Sequence, residues 1–192
     1  MVLTLELRPT IELTDAQFEQ ICQVNRDLKF ERAATGELIV VALTGGETGR
    51  RNIKLSARLE IWSSEANLGV AFDSSTGFKL PNGAIRSPDS AWIQQQRWES
   101  LTPTQRQKIV PLCPDFLIEL RSPSDDREDL RTKMQEYLDN GLRLGWLINP
   151  ETQTVEIYRP DCPSEILNDP ATLSGEAVLP GFVLNLAGIL TE

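Results

Sequence analysis

Apolar residues recur along the chain at two spacings, every third or fourth position in some stretches and every second in others, and the switches between them outline an α/β order of elements. A first helix has Phe18, Ile21 and Cys22 on one side and is capped by Thr14, with Gln17 completing a capping box. Strands are predicted over residues 28–32 and 37–43, around an Ala-Thr-Gly turn at 34–36. The glycine-rich loop 45–49 leads into a helix from about residue 52 to residue 66, whose buried side the spacing assigns to Ile53, Ala57, Ile61 and Leu68. Two short strands, 70–73 and 76–80, and a Pro81-Asn82-Gly83 turn then lead to Ser87-Pro88-Asp89, with Ala91, Trp92 and Ile93 as the start of the next strand. Residues 97–114 read as a surface excursion with a short polar helix.

The run 115–120 reads as a buried strand, with Phe116, Ile118 and Leu120 on one face and Asp115, Leu117 and Glu119 on the other. Residues 122–126 end it and start a helix, with Asp125 and Glu128 as the capping pair and Leu130, Met134, Tyr137, Leu138 and Gly141 on the packed side. Lys133 borders that side. Strands at 144–148 and 155–158 follow, so strand, helix and strand form a βαβ unit if the flanking strands are parallel. Residues 177–182 read as a small strand before a final short helix. The expected fold class is α/β, one domain over residues 1–192 with a central mixed β-sheet flanked by helices.

At 192 residues the chain is long enough for one substantial core and short for two. The start of the chain lacks the basic and apolar regions of a signal peptide, and the longest apolar run, 38–43, is far too short for a bilayer span. Cys22, Cys113 and Cys162 are odd in number and far apart, matching neither a disulfide framework nor a zinc pattern, so a reduced, cytoplasmic protein is expected. Histidine is absent, which removes imidazole acid-base chemistry, the usual nucleophile triads and imidazole zinc sites. Carboxylate and carbonyl oxygens remain, and they suit magnesium or manganese. The net charge of −9 opposes coating nucleic acid through overall attraction. Arg50, Lys54 and Arg58 recur every four residues, so they form either a local basic stripe or a solvated helix face.

Glu119 is the position that asks for chemistry, because an ionised carboxylate on a buried strand needs a cation or a metal beside it. Asp89 is the natural second ligand. Both have a plain alternative: Asp89 as a turn cap, and Glu119 in an ion pair with Lys133 or Arg121. Glu37 and Glu47 are further acids upstream, better explained as a solvated strand end and loop. The glycines at 45–49 lack the Lys-Ser or Lys-Thr that a Walker loop requires.

Taken together, Ser-Pro-Asp at 87–89, Pro-Asp-Phe-Leu-Ile-Glu-Leu-Arg-Ser-Pro-Ser-Asp at 114–125, Lys-Met-Gln-Glu-Tyr at 133–137 and Gly-Trp-Leu-Ile-Asn-Pro at 145–150 resemble the Uma family of restriction endonucleases, in the PD-(D/E)XK nuclease superfamily. Gly-Glu-Leu-Ile at 36–39 and Phe-Lys-Leu-Pro-Asn-Gly at 78–83 fit the same order of elements. The resemblance implies a restriction-endonuclease-like core over about residues 37–160, with the N-terminal helix and the C-terminal strand and helix packed on it. It implies DNA as substrate, Mg2+ or Mn2+ as cofactor, Asp89, Glu119 and the Leu120 carbonyl as metal ligands, and a lysine that orients the attacking water. The triplet here is Glu119-Leu120-Arg121 where the superfamily has Glu-x-Lys, so that role passes to Lys133 on the next helix. Gln135 and Tyr137 lie near positions where some superfamily members carry Gln and Tyr, with Tyr137 in a supporting role.

Two other function classes stand beside an endonuclease: a catalytically inactive nuclease fold that binds nucleic acid or protein, and a self-associating module using exposed Trp92, Trp98 and Leu101. A homo-oligomer, most simply a two-fold dimer, is expected of a one-site subunit that cuts both strands of a duplex.

Overall fold

The computed structural model of the protein describes residues 2–190. The chain begins with β1 (Val2–Leu5), α1 (Asp15–Val24), β2 (Lys29–Arg32) and β3 (Leu38–Val41), followed by the long α2 (Gly46–Ala66). Then come β4 (Gly69–Asp73), β5 (Phe78–Lys79), β6 (Ile85–Arg86), β7 (Ser90–Gln94), α3 (Gln95–Glu99) and α4 (Pro103–Arg106). The third part holds β8 (Phe116–Leu120), α5 (Arg127–Asp139), β9 (Leu144–Asn149), β10 (Thr154–Tyr158), β11 (Glu165–Asn168), β12 (Thr172–Ser174) and β13 (Val183–Asn185).

Six strands form a central mixed sheet in the order β11-β10-β9-β8-β7-β4. The β8–β9 pair is parallel and connected through α5, while β7–β8, β4–β7, β9–β10 and β10–β11 are antiparallel. A second sheet, β1-β3-β2-β6-β5, lies toward the N-terminus, so the strands predicted at 70–73 and 76–80 fall in different sheets. No helix among the described residues is long and apolar enough to cross a membrane.

The alternation read at 116–120 divides the core. Phe116, Ile118 and Leu120 pack with Leu55 and Leu59 of α2 and with Leu173, Phe182 and Leu184 of the C-terminal hairpin. On the opposite face Leu117 packs with Met134 and Tyr137 of α5. Gly145 makes that second packing possible: a Cβ there would stand 2.5 Å from the Met134 side chain, so the bare backbone of β9 lets α5 settle onto the sheet.

Several expectations are corrected. α2 begins at Gly46, six residues earlier than predicted, on an N-cap, Gly45, that makes no side-chain cap; Glu47 in the first turn suits the positive end of the helix dipole. Its buried positions are Thr48, Leu55, Leu59 and Ser63, whereas Ile53 and Ile61 are 65% and 59% exposed and Ala57 and Leu68 are also exposed. The cap of α5 is Asp126, which accepts the Glu128 and Asp129 N–H groups, while Asp125 accepts from Ser122. Residues 177–182 turn between β12 and β13, and no helix follows among the described residues. Trp92 is 1% and Leu101 9% exposed and Trp98 packs on the core, so these three do not make an exposed self-association patch.

Candidate active site

The site forms where β7 and β8 part. Their ladder pairs Trp92 with Phe116, Ala91 with Leu117 and Ser90 with Ile118, and one more step of that register would set Asp89 opposite Glu119. The backbone ladder stops there and the Asp89 side chain continues it, its Oδ2 accepting the Leu120 N–H at 2.8 Å. Asp89 Oδ1 accepts from Asn52 Nδ2 of α2 at 2.8 Å. The last two residues of β8 therefore offer a carboxylate and a backbone group beside the Asp89 carboxylate.

The opposite side of this notch is closed by α5. Lys133 and Tyr137 lie one turn apart, and both reach the same oxygen: Lys133 Nζ stands 2.8 Å from Glu119 Oε1, and the Tyr137 hydroxyl donates to it at 3.0 Å. Lys133 also donates to Glu31 Oε1 of β2 at 3.0 Å, so one ammonium bridges carboxylates from the two sheets. Glu31 in turn accepts the Ser87 N–H at 3.0 Å and pairs with Arg86, whose Nε donates to Glu136 at 2.6 Å. The notch opens into a cleft of about 2630 Å³ that Asp89, Glu119, Leu120, Lys133 and Asn52 line together with β2 and β3.

Burial is the main force on the acids. It pushes the Glu119 carboxyl up to about 7, with the Asp89 and Glu31 carboxylates adding to the rise and Lys133 opposing it. Asp89 is also raised, again by burial, against its hydrogen bond from Leu120 and the charge of Lys29. Burial acts the same way on Glu31, but Lys133, Arg86 and Lys29 outweigh it and hold that carboxyl below its usual range. Burial alone would lower the Lys133 ammonium; Glu119 and Glu31 overcome that and raise it. Glu31 is thus the settled anion of the group, Lys133 the settled cation, and Glu119 the carboxyl held near neutrality.

Of the residues singled out in the sequence, Asp89, Glu119, Leu120, Lys133 and Tyr137 come together. Arg121 turns away to pair with Glu151. Gln135 binds Asp139 on the exposed side of α5. Glu37 accepts from Thr35, and Glu47 pairs with Arg50. The basic stripe divides: Arg50 is exposed and pairs with Glu47, whereas Lys54 donates to the Gly188 carbonyl and Arg58 to the Asn185 and Ala187 carbonyls, tying α2 to the C-terminal segment. Sequence reasoning missed Glu31, Arg86 and Asn52. A buried acid in the predicted strand 28–32 was the available signal for Glu31; nothing in the spacing marked Asn52.

The sequence model of the Uma2 family, described as "Putative restriction endonuclease", matches residues 15–187. The chain belongs to the Uma2 family. Among solved structures it is similar to a nuclease, described as putative and belonging to DUF820, from Anabaena variabilis ATCC 29413. That likeness has a TM-score of 0.71 at 19% identity and covers 84% of this chain and 89% of the other, which shows a shared fold. No curated protein matches the chain. Uma2 membership and this nuclease-like fold agree with the mixed sheet described above.

Proposed function

We propose that this Uma2 protein is a divalent-metal-dependent endonuclease acting on DNA. Asp89 and Glu119 hold the ion, with the Leu120 carbonyl as a further ligand, and Lys133 orients the attacking water. The observation that supports this most is the pairing of two carboxylates at the parted ends of β7 and β8 with an ammonium 2.8 Å from one of them. It is the set of groups that phosphodiester hydrolysis uses: charge to stabilise the phosphorane-like transition state, and a donor to position water.

The donor set fits magnesium or manganese. Among the described residues no three acidic, histidine or cysteine side chains gather as a metal cluster. Two carboxylates nevertheless suffice for magnesium, which keeps several waters and completes its shell with substrate phosphate. Burial raises the Asp89 and Glu119 carboxyls, and a divalent cation between them would favour their charged forms. When bound, the ion would polarise the phosphoryl oxygen and acidify a water. Lys133 stays protonated between Glu119 and Glu31, so it acts as a donor to water or phosphate rather than as a base. Tyr137 fixes the Glu119 carboxylate through its hydroxyl.

A homodimer belongs to this proposal, because a subunit with one such centre cuts both strands most simply with two-fold symmetry. The cytoplasm, where magnesium and DNA meet, is the proposed location. The test is incubation with plasmid, linear and single-stranded DNA in magnesium and in manganese. Metal-dependent nicking or linearisation that disappears in Asp89→Asn supports the reading. Binding of DNA with no cleavage in either metal would leave a catalytically inactive nuclease fold in its place.

A further inference from the structure

We infer that Asn52 is a third side-chain oxygen ligand of the divalent ion, an inference that rests on the metal centre proposed above. Asn52 lies on α2 and reaches the notch from the side opposite Lys133. Its amide orientation follows from one contact: Nδ2 donates to Asp89 Oδ1 at 2.8 Å, and a carboxylate oxygen there accepts. The other end of the amide, Oδ1, is sealed from solvent and has no hydrogen-bond partner. An amide oxygen left alone in a protein interior is rare, and each case asks for the group it serves.

The cations nearby are committed elsewhere. Lys133 is held by Glu119 and Glu31, and Lys29 donates to the Ser87 carbonyl at 3.0 Å. Asn52 lines the same cleft as Asp89, Glu119 and Leu120, and its free oxygen lies one amide width from the atom that binds Asp89. A neutral amide oxygen is an ordinary ligand for a hard cation, and an ion about 2.0–2.1 Å from its ligands needs less room than a bridging water. The next turn of α2 holds it in place, where Ser56 and Ser90 share a hydrogen bond at 2.9 Å.

The test is calorimetric titration of manganese chloride into the parent protein, Asn52→Asp and Asn52→Leu at one pH, with melting curves in chelator for each. As a ligand, Asn52 predicts that N52D binds manganese as tightly as the parent or tighter, because a charged oxygen replaces a neutral one. N52L should lose about tenfold or more in affinity. If Asn52 only orients Asp89, N52D must bind more weakly than the parent, since it has lost the donor and faces Asp89 with like charge; that result overturns the inference. Affinity of N52L within twofold of the parent overturns it too, and would assign a bridging water to Oδ1. A parent protein that binds no manganese overturns the metal centre and this assignment with it, whereas parent binding with unaltered variants removes Asn52 alone. Where N52L fails to fold, the direction of the N52D change decides.

Discussion

Helices α2 and α5 cover opposite faces of the same sheet and each delivers a side chain to the same notch, yet only α5 displays its buried side in its apolar spacing. In α5 the predicted positions Met134 and Tyr137 are fully buried and Leu130 and Leu138 pack beside them. In α2 the predicted stripe faces water, and the helix meets the sheet through Leu55 and Leu59 with Thr48, Asn52, Ser56 and Ser63 between them. Three of those polar groups are matched to the strand beneath. Ser56 bonds Ser90, Asn52 bonds Asp89, and Ser63 accepts the Trp92 indole N–H at 3.0 Å. A helix face that hydrogen-bonds its sheet carries little hydrophobic signal although it is buried.

The comparison is broken most severely at Lys133, the group α5 contributes. Lys133→Met is expected to lower DNA cleavage by about 10²–10⁴-fold with metal affinity nearly kept, as for loss of a positioned proton-transfer or water-orienting group. Arg121→Met should change cleavage by less than about tenfold, the loss of a salt bridge with an exposed Glu151 that stands away from the notch. Rates measured under single-turnover conditions check both. Equal losses in the two variants would return the role to the Glu-x-Lys position.

What the sequence made legible follows the same division. The strand 116–120 is an apolar run broken only by Glu119, which marks a buried strand whose two faces follow from period two, and the Thr14 cap and the β8-α5-β9 order rest on equally local signals. The Asp89 and Glu119 pair was legible because Glu119 interrupts an apolar strand and Asp89 ends a Ser-Pro-Asp turn that leads into Ala91, Trp92 and Ile93 of the adjoining strand. Glu31 was not, since it comes from another sheet 88 positions before Glu119, and only the crossing of β2 over Ser87 and Lys133 gives it a place. Asn52 stayed hidden because the apolar spacing of α2 pointed its face outward. The C-terminal hairpin was misread for a related reason: Leu179 and Phe182 are buried as turn residues, where apolar content imitates a strand.

Glu119 sharpens the comparison through pH. Its folded carboxyl titrates at about 7 against an ordinary 4.5, and burial is the first cause. A raised carboxyl contributes stability that is fully present below pH 4.5, fades between 4.5 and 7, and is gone above. Glu119→Gln keeps the neutral form at every pH, so in chelator it should melt above the parent at pH 8, with the gap closing toward pH about 4.5. With Glu119 as a ligand in the proposed metal centre, manganese affinity of the parent should rise with pH through the same range, because binding would have to displace the Glu119 proton. A melting gap that does not vary with pH, or a variant that melts lower throughout, would make Glu119 the anion of a structural ion pair.

The polar side of α2 supplies the next effect in size. Ser63→Ala removes both the acceptor of the buried Trp92 N–H and a donor to the Gly69 carbonyl at 3.0 Å. The expected cost is about 1–3 kcal/mol in urea unfolding, the range for leaving a buried polar group without its partner. No loss would mean that the serine contacts merely accompany the packing of Leu55 and Leu59.

The smallest effect is expected on the stripe that spacing alone would have buried. Ile53, Ala57 and Ile61 recur every four residues on the outward side of α2, and the two isoleucines are more than half exposed. Ile61→Gln should therefore alter unfolding stability by no more than about 0.5 kcal/mol at micromolar protein. Glutamine is a slightly better helix former than isoleucine, so the sign should be neutral or favourable. The measurement also tests the dimer, because an apolar stripe covered by a second copy would lose more than its exposure in one chain allows. A destabilisation above about 1 kcal/mol that shrinks on dilution would mean that α2 meets another subunit along this side, and that its apolar spacing records an interface rather than the core.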